Sequence, residues 1–551
     1  MLRWRPRLHA ICGLALVVVL AAAGCGPAPA AKPEAKPAET KTVAGGKGGN
    51  LIMGLGSEPL TLDSCTTSTV PSFVVSMNVF DQLVWLNTDK TLKPGLAESW
   101  ETSADGKAIT FKLRKSVKFH DGTAFDADAV KFTFDRIMDP ATKAVNKGSM
   151  GPLQKVEVVD PNTVRFVFTD YYAPFLFYLA NYDACIVSPA AVKKYGADFG
   201  RHPVGTGPFI FKEWVAKDRI VLTKNPDYNW APPMYTHQGP AYLETITFRF
   251  ITEDVPRMGT LETGECNAVV YLSADGLARF KAAPDKYVVI QALVPGASHA
   301  FFLNVKKFPT DDLAVRQAMN WAVDIDKMIS TLYKGVETPA HGLLSPADPA
   351  YDKELDKTFG YDPKKAEQIL QSGGWRKGSN GIYSKGGKEL SLIMTSLDAQ
   401  RYLMYAEFVQ AALQSIGMKV SMQVVAGPAR MEAGQKGTSN MVPVGEQGVG
   451  DPDILRYLYH SSNIGKGLNF SQLSDAKMDR ALEDATKIRD LNQRLAAYKD
   501  IQKQLLAVAP ILPVRHITHN FANRAEVKGI RMCGKGYYPL LYDCYVEPKA
   551  K

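Results

Sequence analysis

The chain has 551 residues, 46% of them hydrophobic and 22% charged, with a formal net charge of +9. That length is too great for one ordinary hydrophobic core and predicts two or three domains. The basic residues are scattered rather than clustered, which describes a solvated surface and argues against a nucleic-acid partner.

Arg3, Arg5 and Arg7 precede an apolar stretch from Ile11 to Ala23. The stretch is too short for a permanent membrane helix, which takes roughly 20 residues. A basic start, a short apolar run and a small-residue exit describe a secretory signal over residues 1–24. Its loss removes those three arginines and no acid, so +9 becomes +6. Ala22-Ala23-Gly24-Cys25 resembles the bacterial lipobox, where the thiol is acylated and the chain is cut just before it. The resemblance implies Cys25 as a lipid anchor; the plainer alternative is an ordinary signal cleaved after an alanine. Gly26 to Asn50 contains no aromatic residue and one branched aliphatic, Val43. Residues 25–49 are therefore expected to be an extended tether.

Cys65, Cys185, Cys266, Cys533 and Cys544 remain. Outside the cytoplasm such thiols are able to pair, and proximity favours Cys533 with Cys544, although an odd total leaves one over. With no Cys-x-x-Cys, zinc or dithiol redox chemistry has little support.

Strand-like alternation marks Ile109, Phe111 and Leu113, then Val164, Phe166 and Phe168. FIFKEWVAKDRIVLTKN predicts a hairpin, with Phe209 and Phe211 facing Ile220 and Leu222. LAVRQAMNWAVDIDKMISTL repeats its apolar residues every three to four positions, which predicts one helix capped by Asp311 or Asp312. Asp362, Pro363 and Gly373 supply the start and stop of the next helix. RYLMYAEFVQAALQSIG predicts a helix running into the strand KVSMQVV, and two more helices precede the strand ILPVRH. Helix and strand in alternation predict α/β layers with a partly parallel sheet.

Six blocks in order carry a family resemblance: LKPGLAESWETSADGKAITFKLRKSVKFHDGTAFDADAVKFTFDRIMDP, VGTGPFIFKEWVAKDRIVLTKNPDY, FFLNVKKFPTDDLAVRQAMNWAVDIDKMI, YDPKKAEQILQSGGW, GDPDILRYLYHSS and APILPV. Together they resemble family 5 of the bacterial extracellular solute-binding proteins, receptors for ABC importers of peptides and nickel. The resemblance implies an α/β fold of the type II periplasmic-binding class, with two hinged lobes around a ligand cleft. It places the first lobe at 50–85, 201–303 and 516–551, an inserted subdomain at 86–200 and the second lobe at 304–515. It implies a monomeric receptor that hands a peptide, or another small solute such as a nickel chelate or oligosaccharide, to the permease transmembrane subunits. No catalytic residue, cofactor or metal is expected. The sequence contains no G-x-S-x-G elbow, H-E-x-x-H or phosphate loop; a secreted enzyme or a sensor lipoprotein is the competing class.

Peptide receptors of this family hold the ligand amine with an aspartate three residues before the DPD segment. Gly448 occupies that position here, and Glu446 is the nearest acid. Either Glu446 replaces it, or the ligand lacks an anchored amine. Asp451 and Asp453 form a carboxylate pair that also reads as a turn and helix start, with Asp453 as the cap. Arg401 stands where some relatives place an arginine for the ligand carboxylate, a task suited to its forked donors. His299 lies on the expected hinge strand beside the structural Asn304, and Tyr402 offers an aromatic wall. His516 and His519, three apart on a strand, are not expected to share a metal.

Overall fold

The computed structural model describes residues 47–67, 69–445, 450–536 and 538–548. Cys25, the tether through residue 46 and Glu446 lie outside the described residues. Lys47–Lys551 forms one compact unit, built on two large mixed sheets. Among the described residues no helix is long and apolar enough to cross a membrane.

Strand Asn50–Leu55 lies near the centre of a seven-stranded sheet, parallel to Thr245–Phe250 on one side and Ala268–Val270 on the other. The predicted hairpin, Phe209–Val215 with Arg219–Lys224, forms one end of this sheet. Phe209, Ile220 and Leu222 are fully buried, as their alternation requires. The stretch GTGPF is held by contact with a neighbouring backbone. A Cβ on Gly205 would stand 2.2 Å from the Val79 carbonyl oxygen, so no side chain fits there. A separate four-stranded antiparallel sheet, built from residues 97–168, shares a continuous apolar core with the first sheet.

The second sheet has six strands, with His299–Leu303 between Ile511–His516 and Met441–Val444. Phe301 and Leu303 enter one apolar cluster, while Ala300 and Phe302 enter the cluster on the opposite face. Burial on both faces accounts for the unbroken apolar run in this strand. The strand already pairs within the second sheet, although the resemblance starts the second lobe at residue 304. Helix Gln400–Ser415 delivers the chain into Lys419–Val425, which runs parallel to Ser391–Leu397.

Two expectations change here. The single helix predicted over LAVRQAMNWAVDIDKMISTL is two, Leu313–Ala322 and Ile325–Tyr333. Asp312 caps the first through the Ala314 N–H, and Asp324 caps the second through the Lys327 N–H. Asp competes for backbone donors, so it starts a helix more readily than it continues one. The preferred Cys533–Cys544 disulfide is absent, and all five described cysteines are buried free thiols. Local strand pairing separates the two: the Cys533 N–H donates to the Tyr538 carbonyl, whereas Cys544 packs on Gly529.

Candidate ligand cleft

The chain passes from the first sheet to the second between Leu293 and His299, and returns at Ile517. Glu337 braces the return passage from both sides of Ile517. Its carboxylate accepts from Arg515 Nη1 at 2.5 Å and from the Thr518 N–H at 3.0 Å. Asn520 Nδ2 adds a bond of 3.3 Å to the Val336 carbonyl. These bonds hold the Val336–Glu337 segment against the return passage.

Beside the crossing lies a cavity of about 760 Å³, lined by Ser57, Arg257, Tyr271 and Asn520 from one sheet's side and by Tyr333, Arg401, Tyr402 and Arg515 from the other. That volume suits a small organic ligand. Its three arginines differ in what they have left to offer. Arg257 is 1% exposed and spends its donors on the carbonyls of Ile251, Val270 and Tyr271 and on Asp254. Arg515 is paired with Glu337. Arg401 is exposed on the first turn of its helix, with its guanidinium 5.1 Å from the Tyr402 ring centre. Among the described residues no carboxylate pairs with it, so it is the cleft cation open to a ligand anion.

His299 stands behind Tyr402, their ring centres 5.5 Å apart. Its Nε2 lies 2.7 Å from the Tyr405 hydroxyl. Burial, reinforced by the charges of Arg515, Arg401 and Arg430, holds its pKa well below the ordinary value, so the ring is neutral.

Asp451 does not line this cavity. It is 1% exposed, ion-paired with buried Arg494, and accepts from the Asp453 N–H at 2.9 Å. Burial pushes its carboxyl up against the pull of Arg494. Asp453 begins helix Ile454–Tyr459, but its side chain makes no cap bond. It accepts instead from Tyr172 and Tyr498 and from Arg456. The pair is therefore committed to packing, because these partners occupy the oxygens that a ligand would need.

Of the residues expected to touch ligand, Arg401 and Tyr402 line the cavity, His299 adjoins it and Asp451 is taken up elsewhere. Glu337 and Arg515 were not anticipated; the one available signal was an arginine inside the apolar strand ILPVRH. His516 and His519 belong to different sheets. Among the described residues no group of three or more His, Cys, Asp or Glu side chains converges as a metal site would require.

The profile of bacterial extracellular solute-binding proteins, family 5 Middle, matches residues 91–466. The chain belongs to this family. It is 30% identical over 477 residues to the glutathione-binding protein GsiB of Escherichia coli strain K12, covering 84% of this chain and 88% of that protein. Among solved structures, the periplasmic binding protein DppA of Helicobacter pylori in complex with the peptide STSA matches with a TM-score of 0.76. It is 27% identical, over 91% of this chain and 99% of that one. NikA of Brucella suis in complex with Fe(III)-EDTA matches with a TM-score of 0.80 at 28% identity, covering 90% and 100%. This family 5 protein is a solute-binding receptor of an ABC importer with the two-lobed α/β fold of its class. Its partners are a small solute and the permease.

Proposed function

We propose that the solute is a peptide, held in the cleft between Arg401 and Glu446. Arg401 would receive the terminal carboxylate and Glu446, outside the described residues, the terminal amine. The observation that carries this reading is a cavity of about 760 Å³ with one arginine whose charge has no carboxylate partner among the described residues. The likeness to a glutathione-binding protein and to a receptor solved with a peptide supports it. Captured peptide would bridge both lobes, stabilise their closed arrangement and present that state to the permease. The receptor binds and releases without making or breaking a bond, and works as a monomer.

In the same proposal Cys25 carries the lipid and the residues from 25 to 46 tether the body to the membrane face; residues 48 and 49, expected in the tether, already bond to Val546 and Glu244 of the body. Native mass spectrometry of the gently purified protein tests the ligand: peptide masses lost in Glu446→Ala support it. A single non-peptide mass, a metal chelate or a sugar overturns the peptide while leaving the receptor. Fractionation of cells expressing Cys25→Ser tests the anchor, with release from the membrane expected.

A further inference from the structure

Behind Tyr402, two buried nitrogens have no hydrogen-bond partner among the described residues. His299 is 1% exposed, and its Nδ1 has no hydrogen bond. Arg430, on helix Gly427–Lys436, sends Nη1 to the Pro443 carbonyl at 2.9 Å, yet its buried Nε has no partner. The ladder that pairs Ala300 with Val444 brings His299 beside Gly445. A Cβ added to Gly445 would stand 3.8 Å from the Tyr402 hydroxyl and 3.9 Å from His299 Nδ1. The missing side chain therefore leaves room where these groups converge.

Among the described residues the uncommitted charge around this room is of one sign. Arg430, Arg401 and Arg515 all act on His299, and the carboxylate of Glu337 is engaged by Arg515 and Thr518. A subsite here requires the tautomer in which the Tyr405 hydroxyl donates to Nε2 and the neutral His299 ring carries its proton on Nδ1. Nδ1–H, Arg430 Nε–H and the Tyr402 hydroxyl are then the three donors of a cationic recess at the edge of the cavity. Unpaired buried donors carry a desolvation cost that an incoming acceptor recovers. A carboxylate matches both the charge and the donor count.

We propose that His299, Arg430 and Tyr402 form a second anion subsite beside Gly445, which takes an acidic side chain of the ligand while Arg401 takes its terminal carboxylate. The receptor thereby selects acidic peptides. This rests on the peptide reading above, and the test separates the two.

The test is calorimetric titration of the purified protein with Glu-Ala-Ala, Ala-Glu-Ala and Ala-Ala-Glu, each beside its glutamine counterpart. The expected result is at least a tenfold preference for the glutamate form at one position. Arg430→Met brings that ratio close to one, and Arg430→Lys restores part of it. Gly445→Val, which fills the recess without touching a donor, also abolishes the preference and serves if Arg430→Met does not fold. A ratio within twofold at every position, or one that survives in both variants, overturns the subsite. If no tripeptide binds, the peptide reading fails and glutarate becomes the probe. Thermal protection of the wild type by glutarate that disappears in Gly445→Val upholds the subsite; equal protection, or none in either protein, overturns it.

Discussion

The Tyr172 hydroxyl donates to the Asp453 carboxylate at 3.0 Å, across 281 residues of sequence. Tyr172 follows the four-stranded sheet, while Asp453 starts a helix packed on the second large sheet. Arg456 donates to both, and Tyr498 adds a bond of 3.1 Å to the same carboxylate. One fully buried anion thus joins the two regions, with a positive partner and several hydroxyls sharing its charge. Removing one member of such a buried pair costs about 3–5 kcal/mol, against about 1.5–3 kcal/mol for a single hydrogen bond to a charged group. Asp453→Ala should therefore lower the urea midpoint more than Tyr172→Phe. Equal shifts in the two variants would show that the anion does not organise this junction.

A second buried carboxyl makes stability depend on pH. Asp348 is 4% exposed, with Oδ1 accepting from the Ala350 N–H at 3.0 Å and Oδ2 without a partner. Burial pushes its pKa up to about 7, from about 3.9 in the unfolded chain. Between those values the folded state holds a proton that the unfolded state has lost, so the stabilisation present at acid pH drains away as pH rises through the window. Burial lowers His120 to about 4 and His516 to about 3, which works in the opposite direction over an overlapping range. The informative quantity is thus a difference between proteins. The melting temperature of Asp348→Asn relative to wild type should climb from pH 4 to pH 7, and a difference independent of pH would contradict the assignment.

The free thiols should be inert until the protein unfolds. Burial pushes Cys65 and Cys544 up to about 12 and raises Cys185 and Cys266 as well, so little thiolate exists near neutrality. A thiol-reactive dye at pH 8 should leave these four unlabelled in the native protein and label them in denaturant. Rapid native labelling of Cys65 would mean that the Arg136 guanidinium, 3.0 Å from its sulfur, outweighs burial.

What could be read ahead of the structure follows from interaction range. The Asp362 cap and its helix, the Phe209–Val215 hairpin and the Gln400–Ser415 helix with its following strand are specified by residues a few positions apart, and all are present. The break at Asp324 was also local, but helical periodicity continues through it and hid the cap. Asp453 read as a cap because the tyrosines that claim its carboxylate are remote in sequence. For the same reason Arg430 carried no signal: its significance comes from the ladder that sets His299 beside Gly445. Arg401 could be nominated from its place in the family pattern, but only the fold shows that it alone among the cleft arginines keeps its charge uncommitted.

That difference among the arginines carries the last prediction. Arg257 is saturated by backbone carbonyls and Asp254, and Arg515 is paired with Glu337 although its buried Nε has no partner among the described residues, so replacing either should chiefly lower stability. Among the described residues Arg401 has only the face of Tyr402 against its guanidinium, so Arg401→Met should leave the melting temperature of the unliganded protein near that of wild type. A hydrogen bond to a charged group contributes about 1.5–3 kcal/mol, so peptide affinity should fall by about tenfold or more. Amidating the peptide C-terminus removes the same contact from the other side. Calorimetry should therefore show amidation weakening the wild type by a similar factor and Arg401→Met hardly at all. If amidation weakens both proteins equally, Arg401 is not the partner of the terminal carboxylate, and the ligand lies in the cleft with another orientation.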